Sequence, residues 1–257
     1  MTARAWLTGL LCVLAAGAGC AARGPARPAG PPTDDPAAVT ALAAATAHCR
    51  PLRTATGEIR LSGRAGRDRL RARLLAGFAE PSSLRLEALA PFGAPGLILA
   101  SDGSATTVLF PRERQVLRGS TVPALLDALT GLALDADELR RLLFGCLAGD
   151  GGRGRAYGGG WQVVDAGETR AFLRDGALVA ADYRGWQIDY ALPEGGVPRQ
   201  VRVRRGPGPV ALDLTAVVGD LSLNTDIDPR AFVLDVPSDA VPITLDDLRR
   251  ASPLAPR

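Results

Sequence analysis

The sequence predicts an α+β protein, a largely antiparallel β-sheet covered on one face by a few helices. Three observations carry this: many short segments alternate apolar and polar residues, Gly-containing turns separate them, and only about four stretches have helical periodicity. Neighbouring strands joined by short turns must run antiparallel, because parallel pairing needs a crossover helix between them.

A first helix is signalled by Asp35 as cap and Pro36 at the first helical position, with Val39, Leu42, Ala43 and Thr46 on one face. It should end near Cys49, ahead of Pro51. In the next segment Leu70, Ala72 and Leu74 alternate with Arg69, Arg71 and Arg73, giving one apolar and one solvated face. Leu84, Leu86 and Ala88 against Arg85 and Glu87 repeat the pattern, and 97–100 and 106–110 meet across the hairpin turn Asp102-Gly103. After 115–118 the pattern turns helical: Pro123 with Leu125, Leu126 and Leu129 up to Gly131, then a capping box of Asp135 and Glu138 opening a helix that carries Leu139, Leu142 and Leu143. The stretch 149–160 reads as a flexible glycine-rich loop. Strands are then expected at 161–165, 169–173, 178–183, 186–192, 200–205, 210–217 and 221–224, and a short helix after Thr244.

With 257 residues, 47% hydrophobic and 22% charged, the chain can bury one sizeable core. The net charge is only +3 and every basic side chain is Arg, which argues against nucleic acid as a partner and against a polybasic contact with a membrane. Without Lys, neither a phosphate-loop lysine nor a Schiff-base enzyme can be built.

The N-terminus carries Arg4, the apolar run 6–16, and then Gly17, Ala18 and Gly19 ahead of Cys20. Charge, apolar core and small cleavage residues in that order predict an export signal over 1–19. A cysteine directly after small residues resembles a bacterial lipobox, which implies lipid attachment at Cys20; a plain secreted protein cut near Ala18 or Ala22 is the alternative. Residues 20–35 are rich in Ala, Gly, Pro and Arg and read as a disordered tether, leaving 36–257 as the folded domain. Export places Cys49 and Cys146 in an oxidising compartment, so a disulfide is expected, with two buried thiols as the alternative.

Chemistry-bearing motifs are sparse. His48 is the sole histidine, so His-based metal clusters cannot form; its place at the end of a helix is explained by the helix dipole. The glycines of 152–160 lack phosphate-loop spacing. Trp161, Tyr183, Trp186 and Tyr190 could stack on a ligand or belong to the core. Neither a catalytic set, a metal nor a cofactor is expected. The segment Ala90-Pro91-Phe92-Gly93-Ala94-Pro95-Gly96 is a turn with a large apolar residue at its tip, so Phe92 is either displayed or folded back onto the sheet.

The order of Leu84-Arg85-Leu86-Glu87, Pro91-Phe92-Gly93, the strand 97–100 with Asp102-Gly103, Leu129-Thr130-Gly131 and Leu139-Arg140-Arg141-Leu142-Leu143-Phe144-Gly145 resembles the LolA/LolB family of lipoprotein-sorting proteins. Gly57, Ile59 and Leu61 in a first strand, together with Cys20, agree with it. The resemblance implies a half-open β-barrel of about eleven strands whose apolar cavity accepts acyl chains, with Leu84, Leu86, Leu97, Leu99, Leu126 and Leu143 as lining candidates. It implies a membrane- or cargo-facing role for Pro91, Phe92 and Gly93, and an anchored protein at the outer membrane facing the periplasm. Beyond Gly149 only the strand count matches, and 224–237 with Phe232 is closer to uncharacterised lipoproteins of that fold. The expectation is therefore a non-enzymatic binder of lipid or lipoprotein acyl chains. An envelope assembly lipoprotein with a filled interior and a protein partner is the second reading, and a hydrolase using Ser, Asp or His48 the third. A hollow wide enough for a hydrocarbon tail separates the first from the second.

Overall fold

The computed structural model describes residues 27–66, 68–90, 92, 95–205 and 211–251. The signal segment, Cys20, Pro91 and Gly93 lie outside the described residues.

The chain opens with β1 (Thr33–Asp34) and α1 (Ala37–Ala45), followed by a 3₁₀ turn over Ala47–Cys49. Six strands form a meander: β2 (Thr54–Ala65), β3 (Asp68–Ala79), β4 (Ser83–Ala88), β5 (Leu97–Ser101), β6 (Thr106–Phe110) and β7 (Gln115–Arg118). Two helices follow, α2 (Val122–Thr130) and α3 (Ala136–Leu143). A second meander comprises β8 (Arg153–Tyr157), β9 (Trp161–Ala166), β10 (Thr169–Arg174), β11 (Ala177–Tyr183), β12 (Trp186–Ala191), β13 (Gln200–Arg205) and β14 (Leu212–Leu223). The chain closes with a 3₁₀ turn over Pro229–Phe232, β15 (Val241–Pro242) and α4 (Leu245–Ala251).

Among the described residues these strands form one sheet in the order β1-β8-β9-β10-β11-β12-β13-β14-β2-β3-β4-β5-β6-β7-β15. Its pairings are antiparallel apart from β7 with β15. The two meanders join through the long strands β14 and β2. The sheet curves round the helices and stays open between its edges β1 and β15.

The count of fifteen strands corrects the expected eleven. Part of the difference is β8, inside the stretch read as a loop. Its glycine serves packing rather than flexibility: a Cβ on Gly154 would stand 2.2 Å from the Asp35 carbonyl oxygen, so glycine lets the start of α1 lie directly on β8. The two-residue strands β1 and β15 are too short for a periodic signal. The segments expected at 210–217 and 221–224 belong to the single strand β14.

The ordered chain also begins before Pro36. Arg27 stacks over the Phe172 ring at 4.7 Å and bonds Asp189 at 3.0 Å and Asp182 at 3.1 Å, while Thr33 and Asp34 pair with β8. An ion pair and a two-residue bridge require no apolar periodicity, which is why 27–35 read as tether.

The core has three parts. The main one lies between α2, α3 and the concave face of the sheet. A second places Ala38 and Leu42 of α1 on Val164, Ala171 and Leu173. A third, built from Trp161, Val163, Phe172 and Ala180, lies apart from both. Phe232, at the end of the second 3₁₀ turn, rests against Gly77 of β3, and Arg85 bonds the adjacent Ala231 carbonyl at 2.7 Å. Among the described residues no helix is long and apolar enough to cross a membrane.

Candidate functional site

The two covering helices are set by local chemistry. Thr121 caps α2, and Gly131 ends it at φ 75°, a left-handed conformation that glycine adopts without a Cβ penalty. The capping box of α3 is present, with the Glu138 N–H donating to Asp135 at 2.7 Å and the Asp135 N–H donating to Glu138 at 3.0 Å.

Between these helices and the sheet lies a hollow of about 90 Å³. The sheet contributes Ile59 and Leu61 of β2, Leu74 of β3 and Leu86 of β4, then Val201 and Val203 of β13 with Leu214 and Ala216 of β14. The helices contribute Leu126, Leu139, Leu142 and Leu143, with Leu132 from their connection. Thr130 is the one polar residue in the lining, and its hydroxyl donates to the Leu126 carbonyl of its own helix at 2.7 Å. The surface is therefore hydrocarbon.

Of the six expected lining residues, Leu86, Leu126 and Leu143 border the hollow and Leu84, Leu97 and Leu99 do not. Leu84 and Leu99 are completely buried in the same core as Phe78, Val108 and Leu125, and Leu97 packs half-buried against it. Facing inward is thus not the same as facing a void. The residues missed lie mostly on β2, β13 and β14, where pairing between distant strands decides what meets the space.

Phe92 is 87% exposed, and its carbonyl accepts a hydrogen bond from Arg112. The ring is displayed, not folded back. Leu74 pairs with Ala88, so the chain leaving β4 runs beside β3 toward the β2–β3 turn, and Phe92 stands at that end.

Near the start of α3, the Tyr183 hydroxyl donates to Glu138 at 2.5 Å and Arg184 approaches the same carboxylate at 2.6 Å. Burial works against the Glu138 carboxylate, yet Tyr183, the Asp135 N–H and Arg184 hold its pKa below the usual range. The Tyr183 phenol moves up, first through burial and then through Glu138. Tyr183, Trp186 and Tyr190 belong to the main core, and Trp161 to the third cluster with Arg174 over its ring at 5.5 Å.

At the other end of α3, Cys49 and Cys146 form the expected disulfide, with Cα atoms 5.6 Å apart. His48 meets the Phe144 carbonyl at 2.8 Å through Nε2. His48, Cys49 and Cys146 lie close together, but both sulfurs are consumed in the bridge and offer no thiolate to a metal.

Neither a known family model nor a curated protein matches the sequence. Solved structures match in fold. A LolA superfamily protein from Nitrosomonas europaea aligns with a TM-score of 0.50 at 9% identity, covering 77% of this chain and 98% of that one. A DUF1329 family protein from Desulfovibrio piger aligns at 0.49 and 15% identity, covering 78% and 98%. The open, curved antiparallel sheet with helices on its concave face is a LolA-like fold.

Proposed function

We propose that the protein is an exported lipoprotein, acylated at Cys20 and held to the outer membrane facing the periplasm, that binds acyl chains of lipids or lipoproteins. The observation that carries this reading is the lining of the hollow, where no polar group is free to hold water or to perform chemistry. Desolvation alone then drives binding, and we read the protein as a binder, not an enzyme.

Size decides how it works. About 90 Å³ is less than the roughly 150 Å³ of an apolar cavity that admits benzene, so a lipid-length chain requires the helices to lift. Of the two, α3 is pinned by Arg140 and by the disulfide just beyond it, whereas α2 rests on apolar contacts and on α4. We assign α2 as the part that moves on loading. Ala216→Leu should fill the space: a fluorescent C16 fatty acid is expected to bind about tenfold more weakly, equivalent to about 1.4 kcal/mol, while denaturation shows stability unchanged or raised. Undiminished uptake would count against the hollow as the binding site.

Phe92 serves as the membrane- or cargo-facing tip. Transferring its ring from water into lipid is worth about 1.5 to 3 kcal/mol, so Phe92→Glu is expected to weaken association with phospholipid vesicles about ten- to hundredfold. The melting temperature should not change, because the ring touches little of its own fold.

The small volume favours a second reading, an assembly lipoprotein with a protein partner and no cargo. Native mass spectrometry of the chain purified from cells separates them: co-purifying lipid supports the first, and a lipid-free chain that also ignores added fatty acid supports the second.

A further inference from the structure

On β2 and β3 the residues facing away from the helices are Arg60, Ser62 and Arg64, and Arg69, Arg71 and Arg73. The register sets Arg60 opposite Arg73, Ser62 opposite Arg71 and Arg64 opposite Arg69. Glu58 answers the first pair, at 3.0 Å from Arg60 and 2.6 Å from Arg73, and these two arginines lower its pKa to about 2, Arg73 foremost.

Toward the hairpin turn the balance changes. Arg64, Arg69 and Arg71 are exposed and have no carboxylate partner among the described residues. Asp213 stands beside Arg64 on β14, but its two oxygens are held by Arg202 at 2.7 and 2.6 Å. Asp68 adds one negative charge at the turn. Like charges directly opposite each other on neighbouring strands destabilise a sheet. The fold alone gives no reason to set Arg64 against Arg69.

Adjacent strands lie about 5 Å apart and alternate residues about 7 Å apart, so these guanidinium groups rise from a closely spaced grid. Each can bind a phosphate through two parallel hydrogen bonds. The grid sits at the end of the molecule where Phe92 is displayed. We propose that Arg64, Arg69 and Arg71 form an electrostatic docking face for an anionic phospholipid surface. The choice of a bilayer over an acidic protein rests on the exposed aromatic ring at the same end of the molecule, and on the anchored reading above for bringing the chain to a membrane.

The test uses the full chain carrying Cys20→Ser, so that no acyl anchor contributes, and vesicles of phosphatidylglycerol or of phosphatidylcholine. Binding is expected to favour phosphatidylglycerol and to weaken with salt. The triple variant Arg64→Ser, Arg69→Ser, Arg71→Ser should bind phosphatidylglycerol roughly a hundredfold less well, about fivefold per arginine, with its melting temperature unchanged or raised. Equal binding to both vesicle types, or full binding by the triple variant, would overturn the proposal and leave an acidic protein as the occupant. So would a lower melting temperature, which marks a structural role. C16 uptake in the same variant should be intact. Failure of uptake in the parent chain would sink the cargo reading alone.

Discussion

Replacing Cys49 and Cys146 with serine is expected to lower the melting temperature by about 10 to 15 °C. The bridge spans a sequence separation of 97 residues, and closing a loop of that size constrains the unfolded chain by about 4 to 5 kcal/mol. It also joins two places that the sheet alone does not: the turn after α1 and the segment after α3. Phe144 stacks edge-on against Phe78 with ring centroids 6.1 Å apart, so that end of the core is a packed plug. The double variant should therefore loosen the plug first, visible as early loss of near-ultraviolet circular dichroism on heating. A melting temperature within about 3 °C of the parent would show that the packing suffices without the bridge.

Arg140→Met should cost about 2 to 4 kcal/mol, read as a shift in the urea midpoint. The side chain belongs to a residue only 7% exposed, and it donates to the Leu52 carbonyl at 2.7 Å, Glu80 at 3.0 Å and Asp137 at 2.5 Å. Removing it strands a buried carbonyl and leaves two carboxylates without their shared cation. Both acids are about one-third exposed, at 33% and 34%, which keeps the cost below that of a wholly buried pair. Arg114→Met provides the control: its partner Asp239 is 3.0 Å away at the surface, and the loss there should stay under about 1 kcal/mol. Equal effects would mean that Arg140 does not pin α3.

Features that depend on near neighbours in the chain were legible in the sequence. Asp135 and Glu138 announced a helix start that the hydrogen bonds reproduce, and Asp102 holds its hairpin by accepting from the Ser104 and Ala105 N–H groups at 2.8 Å. The alternation of Leu70, Ala72 and Leu74 with arginines told which face of β3 meets water. Features created by distant partners were not legible. In Leu139-Arg140-Arg141-Leu142, nothing local says that Arg140 is buried and Arg141 is not; that depends on Leu52 and Glu80 arriving from elsewhere. The hollow was half legible for the same reason: Leu86, Leu126 and Leu143 were found, while Val201 and Leu214 depend on β13 and β14 closing the far wall.

The hold of Arg27 on Asp182 and Asp189 has a mechanical consequence. Seven peptide links separate position 20 from position 27, a reach of at most about 25 Å. An acyl group on that cysteine would work as a short leash tied near β11 and β12, not as a long flexible line. Cutting the knot with Arg27→Ser would lengthen the leash without touching the hollow, and the body of the molecule could then swing farther from the bilayer.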